Sequence, residues 1–158
     1  MTLKPLSIVA VGRLKTPFWK DAAAHYAARL KRWRALREIV IKDGDASLPR
    51  DERNALEGRN ILAALTPADI VVCLDERGAG RTSRDFAAFL ARLSENANRT
   101  PCFVIGGAFG LSDAVRRAAQ HTICLGPMTL PHELARVVLL EQLYRAEAIL
   151  RNVPYHHA

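Results

Sequence analysis

Apolar residues recur along this chain in short unbroken runs, separated by stretches whose apolar positions repeat every three to four residues. Leu6-Ser-Ile-Val-Ala-Val ends at Gly12, as a buried strand does. Thr16-Pro17 then offers an N-cap and a proline at the first helical position. The predicted helix reaches about Trp33, with Trp19, Ala23, Tyr26, Ala27 and Leu30 as its apolar stripe. Leu36 to Ile41 is a second strand and Lys42 to Arg50 a polar loop. Asp51 to Leu65 is helical, with Leu56, Ile61, Leu62 and Leu65 apolar, and Thr66-Pro67 stops it. Asp69 to Asp75 is a third strand, followed by a flexible turn over Glu76 to Arg81. Ser83 is expected to cap the next helix, whose core face carries Phe86, Phe89, Leu90 and Leu93. Pro101 to Ile105 is a fourth strand, Ser112 and Asp113 open a short helix to about Gln120, and Thr122 to Leu125 is a fifth strand. Pro131 begins the last helix. Strands and helices alternate throughout, which predicts one α/β domain over residues 1–158, a mostly parallel sheet flanked by helices.

Composition narrows the class. At 158 residues and 49% hydrophobic, the chain can bury a full core without a metal or disulfide staple. Cys73, Cys102 and Cys124 lie far apart in apolar runs, with no Cys/His spacing, so no metal site is expected. Buried free thiols fit a reducing, cytoplasmic setting. No apolar run approaches the roughly 18 residues of a membrane span, and the run at Leu6 to Val11 is short for a signal peptide. The net charge of +7 predisposes the chain to polyanions, of which nucleic acid is the commonest in the cytoplasm; a merely basic surface is the plainer reading. Arg29, Lys31, Arg32, Arg34 and Arg37 end the first helix, where they suit its dipole or can grip phosphates.

In parallel α/β sheets ligands bind beyond the carboxyl ends of the strands. Three ends therefore matter: Leu74-Asp75, Gly106 to Gly110, and Leu125 to Leu130. The glycine cluster is neither a dinucleotide fingerprint nor a P-loop. Leu125-Gly-Pro-Met-Thr-Leu-Pro-His132 is stiffened by two prolines. Its backbone can hydrogen-bond the edge of an adenine between Met128 and Leu130, or it is simply a rigid turn before the last helix. That helix carries apolar residues all round, so it needs cover on a second side, which a two-fold dimer would supply. Glu141 and Arg145 are spaced for a helical ion pair, although Arg145 can instead meet a phosphate or a developing anion. His25 and His121 have no partner in sequence. His132 sits in the first turn of the last helix, and Tyr155-His156-His157 concentrates an aromatic and two imidazoles near the chain end. No nucleophilic triad or carboxylate pair stands out.

Taken together, Val9-Ala-Val-Gly12, Ile105-Gly106-Gly107-x-x-Gly110-Leu111, Met128-Thr129-x-Pro131-His132, the run Arg136 to Ala146, and Tyr155-His156 resemble the RlmH family, ribosomal RNA methyltransferases of the SPOUT class. The resemblance spans essentially the whole chain. It implies an α/β fold with a C-terminal trefoil knot, a homodimer, and transfer of a methyl group from S-adenosylmethionine to N3 of a pseudouridine in large-subunit (23S) ribosomal RNA, in the assembled ribosome. Carried over residue by residue, it places Leu74, Gly106, Leu125, Gly126, Pro127, Met128, Thr129 and Leu130 on the cofactor. It places Arg145, His156, His132 and Tyr155 at the RNA substrate. Gly126-Pro127 departs from the family's more usual serine-containing pair, so cofactor contacts there fall to the backbone. The competing class is a non-catalytic RNA- or ribosome-binding protein that retains the cofactor fold.

Overall fold

The first strand, β1 (Leu6–Val11), is buried at every position, as a strand covered on both faces must be. The computed structural model describes residues 4–157. After β1 come α1 (Pro17–Leu30), β2 (Leu36–Ile41), α2 (Arg50–Ala64), β3 (Asp69–Gly80) and α3 (Ser83–Ser94). The chain continues with β4 (Thr100–Ile105), α4 (Asp113–Ala118), β5 (His121–Cys124) and α5 (His132–Leu150). The strands form one sheet in the order β2-β1-β4-β3-β5, with every pairing parallel.

Alternate strand residues feed two cores. Leu6, Ile8, Val72, Phe103 and Ile105 pack with Leu30, Phe86, Leu90, Leu139 and Leu143 from α1, α3 and α5. Val9, Val11, Val71, Cys73 and Val104 face the other way, onto Ile61 of α2 and Val115 of α4. Helices thus cover both faces of a parallel sheet, as the alternation of elements predicts.

Three local expectations are corrected. Residues 76–80 are not a free turn but the end of β3, which meets β5 twice, at Leu74↔Ile123 and again, after an irregularity, at Ala79↔Ile123. Gly78 makes this possible, because a Cβ there would stand 2.7 Å from the Ile123 backbone. The cap of α3 is Thr82 rather than Ser83, its Oγ1 accepting the Asp85 N–H at 3.1 Å. Thr16 precedes α1 without capping it through its side chain. Its hydroxyl instead donates to Glu133 Oε2 at 2.7 Å, and its N–H to Glu133 Oε1 at 3.1 Å, tying the starts of α1 and α5 together.

The apolar circumference of α5 is covered largely by its own chain, with α1 and α3 packed on either side. Val138 stays half-buried and Leu150 exposed. The basic stretch also divides. Arg34 is only 3% exposed. Its guanidinium donates to Glu147 Oε1 (2.9 Å), Ser94 Oγ (2.9 Å) and the Lys4 carbonyl (3.0 and 2.8 Å), so four of its five N–H groups are committed within the protein and its burial keeps it from a phosphate. Arg37 is directed to Ser7 Oγ, while Lys31 and Arg32 remain exposed. Among the described residues no helix is long and apolar enough to cross a membrane.

Glu147 is 2% exposed and also receives Arg151 at 3.4 Å. Its removal would strand the Arg34 charge in the core. We expect Glu147→Ala to lose about 3–5 kcal/mol of stability, read by urea denaturation; a loss under about 1 kcal/mol, the range of exposed pairs, would show that the pair is not truly desolvated.

Candidate functional site

The carboxyl ends of β3, β4 and β5 and the first turn of α5 surround one cleft of ≈ 370 Å³. It is lined by Leu74 to Arg77 from β3, Ile105 to Gly110 after β4, and the loop that follows β5, with His132 and Ala135 from α5 and Arg50 and Arg116 from α2 and α4. The structure therefore brings the three strand ends chosen from sequence to one place. Every residue assigned to the cofactor by resemblance lies in this lining except Pro127.

The loop after β5 stands open. Gly126 has φ +143°, a backbone angle that side-chain-bearing residues rarely adopt, and a Cβ there would meet nothing within 4 Å. The backbone N–H groups of Gly126, Met128, Thr129 and Leu130 have no protein acceptor among the described residues. Met128 is 82% exposed beside them. Thr129 Oγ1 donates to Glu76 Oε2 at 3.0 Å, which holds the loop to the end of β3. Unpaired donors next to Leu74, Met128 and Leu130 make a surface that can take a flat, partly polar ring.

Opposite the loop, Asp75 Oδ2 receives Arg116 Nε at 2.7 Å, and Asp75 Oδ1 receives the Arg77 N–H at 2.9 Å. Burial alone would push the Asp75 carboxyl up. The hydrogen bonds from Arg77 and Arg116, with their charges, outweigh it and hold the group below the usual carboxylate range. Asp75 is thus a fixed anion that positions Arg116 rather than a base awaiting a proton. The strand end at Asp75 was visible in the sequence, whereas Arg50 and Arg116 reach the cleft from α2 and α4 and carry no local signal.

The four residues expected at the RNA substrate do not gather in one place. His132, half-buried, lines the cleft. Arg145 lies about 20 Å further along the axis of the same helix, where it joins Tyr155 and His156 around Glu141. Arg145 Nε donates to Glu141 Oε1 at 3.0 Å, and the Tyr155 hydroxyl donates to the same oxygen at 3.0 Å. Arg145 Nη1 lies 3.2 Å from His156 Nδ1, and the guanidinium sits 4.7 Å above the Tyr155 ring. Tyr155 also meets Tyr144 edge-on at 4.6 Å, and Tyr144 stacks on Trp33 at 5.3 Å. The tail is therefore docked on α5. His25 and His121 contact Tyr26 and Phe89, away from the cleft.

Residues 5–156 match the family model described as "Predicted SPOUT methyltransferase". The chain belongs to the SPOUT methyltransferase family. Among its relatives, the ribosomal RNA large subunit methyltransferase H of Nitratidesulfovibrio vulgaris (strain DSM 19637 / Miyazaki F) is 64% identical over 155 residues, covering 98% of this chain and 100% of the relative. The protein of the same name from Desulfovibrio desulfuricans (strain ATCC 27774 / DSM 6949 / MB) is 60% identical over 157 residues, covering 99% and 100%. Solved structures similar to this SPOUT chain include a probable methyltransferase from Bordetella pertussis Tohama I (TM-score 0.56, 16% identity, 90% of this chain and 94% of that one). A probable methylase family protein from Haemophilus influenzae Rd KW20 has a TM-score of 0.58 at 14% identity, covering 99% and 72%. At such identities the structural likeness concerns the fold alone. The resemblance read from the sequence motifs is borne out at the level of the family.

Burial first, and then the hydrogen bond to Glu141 and its charge, push the Tyr155 hydroxyl up from 10.0 to about 12. A raised value means that the folded protein holds this proton more tightly than the unfolded chain does. The contribution to stability is therefore complete below pH 10 and is lost as the pH climbs towards 12. Denaturation across that range should show the decline in the wild type and a flatter profile in Tyr155→Phe. Identical profiles would show that the docked tail does not hold the hydroxyl.

Proposed function

We propose that this protein, acting as a single SPOUT domain over residues 1–158, transfers a methyl group from S-adenosylmethionine to N3 of a pseudouridine in 23S ribosomal RNA. The observation that carries the reading is the open loop Leu125–Leu130 facing Leu74 and Gly106 across one cleft. Its volume falls in the range of about 300–1,000 Å³ common for small-molecule sites. The names of the relatives and the +7 charge support ribosomal RNA as the acceptor.

The residues present fit the cofactor. Leu74, Met128 and Leu130 offer apolar walls for an adenine, and the unpartnered N–H groups of the loop offer donors to its edge. S-adenosylmethionine, when bound, supplies a methyl group activated on a sulfonium. The chain supplies orientation, which contributes roughly 7–11 kcal/mol to such reactions. Transfer would break the sulfonium S–CH3 bond and leave the cofactor as a neutral thioether, so the chain's own part at the acceptor is to take the N3 proton, which the imidazole of His132 or His156 would accept. The Arg145 guanidinium, held by Glu141, stabilises the negative charge that develops on the imide oxygens. Tyr155 packs against that guanidinium and fixes its direction.

Because Arg145, Tyr155 and His156 lie far from the cleft of their own chain, the reading includes a homodimer in which one copy's docked tail faces the other copy's cleft. The half-buried apolar positions left on α5 support such a seam. The trefoil knot belongs to the same reading, supported by the family match over residues 5–156. A cytoplasmic location follows from a ribosomal substrate, and the assembled ribosome is the form we expect to be recognised. A non-catalytic RNA-binding protein would need no cleft lined with unpartnered backbone donors.

Mass spectrometry of 23S ribosomal RNA from a deletion strain should show one N3-methylpseudouridine lost and regained with a plasmid copy; an unchanged modification profile would remove the assignment. In a single-turnover assay on ribosomes from that strain, Arg145→Ala should slow transfer about 100- to 1,000-fold. Unchanged transfer would exclude Arg145 from the reaction. Mixed dimers of Arg145→Ala with a cleft variant, Gly126→Val, should regain activity in one of their two sites. Failure to complement would argue against the shared site.

A further inference from the structure

The proposed function leaves one part of the cleft without a task. Phe109 sits at the mouth, 38% exposed, in a chain with few aromatic residues. It is carried on a tight turn closed by the Gly110 N–H donating to the Gly107 carbonyl at 3.1 Å, and the Asn54 amide donates to the Gly110 carbonyl at 3.1 Å. Two guanidinium groups lie over its ring, Arg50 at 5.1 Å and Arg53 at 5.5 Å. They differ in freedom. Arg53 is anchored to Glu57 Oε2 at 3.3 Å, and Glu57 is itself 2% exposed, whereas Arg50 is in solvent. The ring thus lies beside one guanidinium tied to a buried carboxylate and one that is exposed to solvent.

We infer that Phe109, together with Arg50, seats an unpaired nucleobase flanking the one that is methylated. The inference rests on the ribosomal RNA reading. Unstacked RNA bases are recognised by stacking on aromatic rings or on arginine planes, and every base has a face to offer. A cation over an aromatic ring adds to that attraction. Arg77, exposed on the same rim, and Arg50 give the adjoining phosphates their counter-charges. Of the residues assigned to the cofactor, Leu74 lies on β3, Gly106 directly after β4 and the others in the loop after β5; the Phe109 ring, three residues beyond Gly106, has no part in that set and is left for the substrate. A purely structural ring, covered by two arginines, would affect folding and not substrate affinity.

The test is steady-state methylation of ribosomes purified from the deletion strain, beside calorimetry with S-adenosylmethionine. Phe109→Ala should raise KM for ribosomes about five- to a hundred-fold, and Phe109→Trp should stay within about twofold of wild type. Arg50→Ala should raise KM and flatten its dependence on salt. Cofactor affinity should not change in any of the three. An unchanged KM in a folded Phe109→Ala protein overturns the inference. So does a parallel loss of cofactor affinity, which would place the ring in the cofactor's wall. If wild-type protein leaves those ribosomes unmethylated, the ribosomal RNA reading itself falls; if the wild type is active and Phe109→Ala matches its KM, this inference alone falls.

Discussion

The C-terminal half of this protein depends on the backbone of β3 lying directly against β5. β5 stands at the edge of the sheet and is paired to β3, so this contact is what holds it there. The contact decides where the loop after β5 emerges. With Gly78 pressed to Ile123, that loop is delivered beside Leu74 and opposite Gly106 instead of beyond the edge of the sheet. Thr129 and Glu76 then close the same two segments through their side chains. A wider residue at position 78 would separate the strands and the walls of the cleft together.

The last helix is fixed by two carboxylates near its ends, both directed at the first helical unit. Glu133 takes the N–H and hydroxyl of Thr16 at the start of α1. Glu147 takes Arg34 just beyond its end. The two bonds are physically different. The first lies at the surface and fixes direction, while the second is desolvated and fixes depth, since a charge buried there tolerates no loss of its partner. Between them α5 cannot slide, so His132 is kept at the cleft and the platform for the tail is kept at a set distance along the helix.

Much of this was legible in the sequence, for stated physical reasons. Strands write themselves as apolar runs, and all five appear there within a residue or two at their starts. The three strand ends follow from the geometry of parallel sheets, and the motif set pointed to the family. What could not be read are relations between distant segments. Residues 76–80 look like a turn because glycine and charged residues favour one; only the neighbouring β5 makes them a strand. Arg34 looks like one of five surface cations, and only the meeting of α1, α3 and α5 buries it. Arg50, Arg116 and Phe109 come together from three separate elements, and nothing local marks them.

The open loop after β5 has a thermodynamic side as well. β5 is a four-residue strand at the edge of the sheet, and its loop has backbone donors with no acceptor among the described residues. A ligand seated there would bridge the ends of three strands that the chain itself joins through the sheet and the Thr129–Glu76 hydrogen bond. It would bind the folded chain and not the unfolded one, so folding and binding are linked, with a gain of about 2.7 kcal/mol at a ligand concentration a hundredfold above Kd. The edge strand that carries the open loop is therefore the part whose integrity tracks the supply of its small-molecule ligand.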